Sequence, residues 1–136
     1  MREPRDAFHL AVPAHDLDLA HAFYVEGLGC HLARRYPDRI TLDFFGDQLV
    51  CHLTADLDVP DPERQDLYPR HFGVTFRRRA ALDRLVHLAR LRKLPFFAEP
   101  ATRFAGRAEE HTTVVLRDPS GNLLEFKHYP DPRMIY

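Results

Sequence analysis

The chain has 136 residues, 45% of them apolar, with a formal net charge of −1 and a pI near 6.7. That length suits one compact unit with a real core and excludes a multidomain enzyme. The balanced charge gives no electrostatic reason to expect nucleic acid or a membrane surface as partner. No run approaches the apolar length of a membrane span, and the charged start Met1-Arg2-Glu3-Pro4-Arg5-Asp6 lacks the apolar core of a signal peptide, so a cytoplasmic location is expected.

In chain order, a strand is predicted at about residues 7 to 13. A helix follows, capped by Asp16 or Asp18, with Leu19, Ala22, Phe23 and Val25 as its apolar positions and Gly27 and Gly29 as stop signals. Alternating stretches near 31 to 36, 39 to 45 and 48 to 54 read as strands, with a hairpin turn at Gly46-Asp47. Ala55 to Arg70, with Pro60, Pro62 and Pro69 among five acidic residues, reads as a connecting linker. The order then restarts. A strand is predicted over His71 to Phe76 and a helix over Ala80 to Lys93, with Leu82, Leu85, Val86 and Ala89 on its buried stripe. Strands follow near Phe96 to Glu99, Thr112 to Arg117 and Leu123 to Lys127, the last entered through the turn Asp118-Pro119-Ser120-Gly121-Asn122. The basic set Arg77, Arg78, Arg79, Arg84, Arg90, Arg92 and Lys93 reads as a solvated helix face, and Cys30 and Cys51 as free thiols.

Four of these strands carry a metal-type donor on their less apolar side. Successive side chains of a strand point to opposite faces, so residues two apart share a face. Phe8, Leu10 and Val12 form an apolar set that leaves His9 and Ala11 opposite. Phe72, Val74 and Phe76 do the same for His71, Gly73 and Thr75. Leu49, Cys51 and Leu53 oppose Gln48, Val50, His52 and Thr54. Leu124 and Phe126 oppose Leu123, Glu125 and Lys127. A single strand histidine is usually a satisfied or half-exposed side chain. Three imidazoles and a carboxylate together match the donors of Zn, Fe, Mn, Co or Ni sites. A carboxylate in such a strand also needs a partner, because burying an unpaired charge is costly.

The two halves repeat a βαβββ order, over about 7–54 and 71–128. His9-x-x-Val12 answers to His71-x-x-Val74, and Cys51-His52-Leu53 to Leu124-Glu125-Phe126. This symmetry predicts His9, His52, His71 and Glu125 converging on one site.

With these elements the chain resembles the vicinal oxygen chelate superfamily, which includes glyoxalase I, extradiol dioxygenases, and fosfomycin- and bleomycin-resistance proteins. The resemblance lies in Phe8-His9-Leu10-Ala11-Val12-Pro13, in Ala22 to Gly29, and above all in Leu116-Arg117-Asp118-Pro119-Ser120-Gly121-Asn122-Leu123-Leu124-Glu125-Phe126. It implies an α+β fold of two βαβββ modules forming a cup-shaped mixed sheet, with helices on the outer face and a divalent metal inside. His9 and His71 match the first-strand ligands and Glu125 the last-strand glutamate. His52 matches a position that is a ligand in glyoxalase-like members but usually not in ring-cleaving dioxygenases. Asp43 to Leu53 and Arg103-Phe104-Ala105-Gly106 look most like small dioxygenase-like members.

The expectation is therefore a metal-dependent, dioxygenase-like enzyme, with iron(II) the foremost metal and Zn, Ni, Co or Mn as alternatives, acting on a small substrate with vicinal oxygens. Two alternatives stay open. One is a glyoxalase-type isomerase or lyase; the other is a non-catalytic binding protein of the bleomycin-resistance kind. Arg103 is a candidate for an anionic substrate group and His111 for acid–base work. His128 and Tyr129 are placed to close the cup or anchor the tail, and Phe44, Phe45 and Phe104 to wall the pocket or pack the core. A homodimer is expected from family habit.

Overall fold

The computed structural model describes residues 3–136, which leaves Met1 and Arg2 of the charged start outside the described residues. The chain divides into two compact units, Met1–Val59 and Pro60–Tyr136, and the division falls inside the Pro- and Asp-rich segment. Each unit is a βαβββ module with a four-stranded mixed sheet, so the fold class is α+β, as expected.

In the first unit, β1 (His9–Ala14) leads to α1 (Leu17–His21), a π-helical continuation (Ala22–Gly27), and then β2 (His31–Tyr36), β3 (Arg39–Phe44) and β4 (Asp47–Leu53). Asp16 caps α1, its Oδ1 accepting the backbone N–H groups of Asp18 and Leu19 at 2.8 and 3.0 Å. These are donors that a helix start otherwise leaves unpaired. The spatial order is β1-β4-β3-β2, with β1 parallel to β4 and the other pairs antiparallel. Leu49 and Cys51 of β4 and Ile40 and Leu42 of β3 are buried, and α1 packs on these two strands. The hairpin turn lies one residue earlier than predicted. Phe45 and Gly46 both have positive φ (55° and 96°), the pattern of a turn whose twist suits a hairpin, and Asp47 already belongs to β4.

In the second unit, β5 (Phe72–Thr75) precedes α2 (Arg79–Leu91), β6 (Phe96–Arg103), β7 (His111–Arg117) and β8 (Leu123–His128), in the spatial order β5-β8-β7-β6. Leu82, Leu85 and Ala89 are the buried stripe of α2, which packs on β8, while the arginines of the basic set and Lys93 are exposed. β6 runs four residues beyond its predicted end. The extension passes through Pro100, which β6 accommodates because it is an edge strand, where the missing N–H of proline leaves no ladder bond unmade. Register shifts after Phe96 and after Ala98 absorb the irregularity.

The turn before β8 is organised by Asp118, which is 2% exposed. Its Oδ1 accepts the N–H groups of Ser120 and Asn122 at 2.9 and 2.8 Å, and its Oδ2 accepts Asn122 Nδ2 at 2.7 Å. Segment 60–70 is tied to the same turn: Arg117 donates to Gln65 Oε1 and to the carbonyl of Pro60, and Gln65 donates to the carbonyl of Gly121. In the sequence this stretch read only as a connector.

Candidate metal-binding site

In the second unit the parallel β5–β8 pairing sets Gly73 opposite Glu125, and His71 stands two residues before Gly73 on the same face. His71 Nε2 lies 3.2 Å from Glu125 Oε2. The other ring nitrogen, Nδ1, is 3.0 Å from the carbonyl oxygen of Leu67. A carbonyl only accepts, so Nδ1 carries the proton and Nε2 is left to face the carboxylate. Two lone-pair-bearing atoms in that position need a positive centre between them, either a proton on Nε2 or a metal ion. An Nδ1–H held by a backbone carbonyl is also the way proteins fix the tautomer of a metal-ligating histidine.

Glu125 is 9% exposed, and both of its oxygens are engaged. Oε1 accepts the Thr113 hydroxyl at 2.7 Å; Oε2 faces Lys127 Nζ at 3.2 Å as well as His71. Burial pushes the acid's pKa up, but the Thr113 hydroxyl, the Lys127 ammonium and His71 together outweigh it and hold the carboxyl below its ordinary value. The group therefore stays ionised and available as a ligand. Sequence reading identified the pair and set Lys127 on the face of Glu125, but missed the supports Thr113 and Leu67. Alternation along β7, with Val114 and Leu116 opposite His111, Thr113 and Arg117, could have shown Thr113 on the less apolar side of its strand.

In the first unit the register sets His9 opposite Gln48 and Ala11 opposite Val50. His9 Nδ1 is 2.5 Å from Gln48 Oε1, so this imidazole too has Nδ1 held by an oxygen and Nε2 left open. A cavity of about 220 Å³ opens beside Gln48, with Arg34, Thr41, Asp43 and Asp47 in its lining. His52 is exposed and lies opposite Pro13, four residues along β4 from Gln48, about 13 Å at the usual strand rise.

The repeat is thus offset from the one read in the sequence. Aligned on His9 and His71, the residue matching Glu125 is Val50, because Ala11 pairs with Val50 as Gly73 pairs with Glu125. His52, opposite Pro13, matches Lys127, opposite Thr75. Parity, which is all the sequence pattern fixes, is unchanged by a shift of two. The structure brings His71 and Glu125 together and gives His9 the same local support, but it separates His52 from His9. Among the described residues no group of three His, Cys, Asp or Glu side chains is assembled.

His111 is buried at the start of β7, with Nδ1 2.9 Å from the carbonyl of Glu109 and its ring against Tyr129 and Phe104 at centroid distances of 4.7 and 5.8 Å. Arg103, its partner across the β6–β7 ladder, is exposed. His128 Nδ1 donates to the carbonyl of Phe76, which anchors the strand end. Phe44 is buried and packs edge-on against the buried Tyr24 and the exposed Phe45, and Phe104 is also exposed. Cys30 and Cys51 are free thiols, as expected, and both are buried.

The family model for the Glyoxalase/Bleomycin resistance protein/Dioxygenase superfamily matches residues 7–126. The chain belongs to this superfamily. Among solved structures, a glyoxalase/bleomycin resistance protein/dioxygenase from Alicyclobacillus acidocaldarius is 60% identical over the whole of both chains, with a TM-score of 0.91. A lactoylglutathione lyase from Agrobacterium tumefaciens is 18% identical, covering 93% of this chain and 96% of its own, with a TM-score of 0.68. A glyoxalase/dioxygenase from Nostoc punctiforme is 22% identical over 96% and 97%, again at 0.68. The last two show likeness of fold alone. Comparison with curated proteins finds no match. Members of the glyoxalase/dioxygenase superfamily generally bind divalent metals, and this chain's donors suit such an ion: open Nε2 atoms on His71 and His9, and an ionised carboxylate on Glu125.

Proposed function

We propose that this member of the glyoxalase/dioxygenase superfamily is a metal-dependent, dioxygenase-like enzyme for a small substrate with vicinal oxygens, with His9, His71 and Glu125 as the metal ligands. The observation that carries the reading is the shared preparation of the two histidines: each donates Nδ1–H to an oxygen, so that Nε2 is the ligating nitrogen, and the Nε2 of His71 already faces an ionised carboxylate. Two imidazoles and one carboxylate are the donor set of non-haem iron(II) oxygenases, which leave positions open for substrate and dioxygen. Iron(II) is therefore the expected ion, and Zn, Ni, Co or Mn would suit the same donors. A bound ion supplies Lewis acidity toward a substrate hydroxyl and, as iron(II), the redox chemistry that dioxygen needs.

The chain's own residues do the rest. Thr113 orients Glu125, the carbonyl of Leu67 orients His71, and Gln48 orients His9. His111, with Nδ1 committed to Glu109, keeps Nε2 for proton transfer, and Arg103 is the exposed cation one strand away. In this reading the protein works in the cytoplasm as a homodimer, with a small molecule as its partner and neither nucleic acid nor membrane. Among the described residues no helix is long and apolar enough to cross a membrane.

The test is metal content after anaerobic, chelator-free purification of wild type, His9→Ala, His52→Ala, His71→Ala and Glu125→Ala. The reading expects about one iron per chain, lost in all but His52→Ala, followed by oxygen uptake with catechols. Zinc, nickel or cobalt whose retention also requires His52 would turn the reading to isomerase or lyase chemistry. Absence of metal even after reconstitution would leave a binding protein.

A further inference from the structure

The face that carries Glu125 continues beyond it in an ordered way. One step along β8, on the same side, stands Lys127, which pairs with Thr75 of β5 and Thr113 of β7. An ammonium flanked by two hydroxyl residues thus forms a row next to the row of Gly73, Glu125 and Val115. The Lys127 side chain keeps 28% of its surface exposed, and its Nζ reaches Glu125 at Oε2, the oxygen that also faces His71. Oε1 is separately taken by Thr113. One oxygen of Glu125 is therefore turned away toward its support, and the other lies where both the open imidazole nitrogen and the ammonium converge.

A lysine ammonium has three donors in a compact charge, and a single partner at 3.2 Å leaves capacity for another acceptor. If Lys127 only neutralised Glu125, it would be redundant in any state in which a metal ion takes that oxygen. Its exposure, with Thr75 opposite it on β5, instead suits a group that receives an oxyanion, while the Thr113 hydroxyl stays committed to Glu125. Farther along the face, beyond the Thr–Lys–Thr row, the exposed Arg103 pairs with His111, so the surface leading away from Glu125 carries a further cation for an anionic molecule.

We propose that Lys127 is a specificity-determining residue that binds the deprotonated oxygen of the substrate at the metal half-site, so that the preferred substrates are those whose vicinal oxygens are acidic. This deepens the enzyme reading above and rests on it. The discrimination is against neutral diols and hydroxyketones that do not ionise readily. An ammonium on a charged acceptor contributes enough to change affinity about 10- to 100-fold.

The experiment uses iron(II)- or cobalt(II)-reconstituted full-length protein and 4-nitrocatechol, a vicinal-oxygen probe whose colour reports its ionisation. Wild type, Lys127→Met and Lys127→Arg are compared under anaerobic conditions, with metal affinity measured first by chelator competition. We expect Lys127→Met to retain the metal, to bind the probe at least about 10-fold more weakly, and to shift its bound spectrum toward the protonated form, while Lys127→Arg stays close to wild type. If Lys127→Met holds metal more tightly and binds the probe with unchanged affinity and spectrum, Lys127 is only the counter-ion of Glu125 and the inference fails alone. If wild type itself takes up no metal, the enzyme reading fails and the inference with it, a result visible before any probe is added.

Discussion

Replacing Gly73 with alanine tests the site through its backbone. A Cβ built at Gly73 would lie 1.8 Å from the carbonyl oxygen of Glu125, 2.7 Å from its carbonyl carbon and 3.0 Å from its nitrogen. A carbon rarely approaches a carbonyl oxygen closer than about 3.3 Å, so β5 and β8 must separate by roughly 1.5 Å. The obstacle is main chain in a strand paired on both sides, so no rotamer change relieves it. Stretching ladder bonds of about 2.9 Å by that amount breaks them. Losing two or three at about 1 kcal/mol each, with an overpacking strain of about 1–2 kcal/mol, gives about 3–5 kcal/mol. Gly46→Ala is the control: its φ of 96° is unfavourable for alanine, but nothing lies within 4 Å, so it should cost only about 1–2 kcal/mol. Urea unfolding followed by circular dichroism measures both. Because β5 follows directly from His71, Gly73→Ala should also weaken metal binding, which Gly46→Ala should not. Equal destabilisation by the two substitutions would refute the close-approach reasoning.

Thr113→Val keeps the shape of the side chain but removes the donor to Glu125 Oε1. We expect a loss of about 1–3 kcal/mol in stability and of about 10- to 100-fold in metal affinity by chelator competition; an unchanged affinity would show that Thr113 does not orient the ligand. Acid stability follows from Glu125. Its folded pKa lies below the ordinary 4.5, so the ionised form favours the fold, and that contribution is complete above about pH 4.5 and fades as pH falls through the lowered value. Metal-free wild type should therefore lose more stability than Glu125→Gln between pH 6 and pH 3 in parallel urea titrations, and parallel curves would contradict this. For the thiols, burial and then Asp43 push Cys30 up to about 12, and Cys51 is fully buried. Neither should react with a disulfide reagent at pH 8 in the native protein, whereas both should in denaturant; a fast-reacting native thiol would contradict the burial.

What the sequence made legible and what it hid follow from the kind of information each pattern carries. Alternation along a strand fixes faces: Leu49 and Cys51 are buried and His52 lies on the other side of β4, while Glu125 shares a face with His71; Leu53 and Phe8, read with the apolar sets, are exposed at the strand ends. Alternation does not fix register, because a slide of two residues preserves every face. That is why His52 appeared to answer Glu125, although the pairing of Ala11 with Val50 gives that place to valine and sets His52 level with Lys127. Supports that arrive from distant segments were equally invisible. The carbonyl of Leu67 and the side chain of Gln65 belong to a stretch that looked like a connector, because backbone acceptors leave no mark in residue type.

The offset also bears on how the two modules divide their work. Val50, in the place of Glu125, is 6% exposed and brings no donor, and Arg39 and Pro13 flank His52 where Thr113 and Thr75 flank Lys127. The first module thus retains a prepared imidazole, and the second holds both a prepared imidazole and the carboxylate with its hydroxyl and ammonium neighbours. Duplication of the fold has not duplicated the chemistry. The contrast between His52→Ala and Glu125→Ala in metal content is the most direct test of this inequality, with loss of metal expected in Glu125→Ala and retention in His52→Ala.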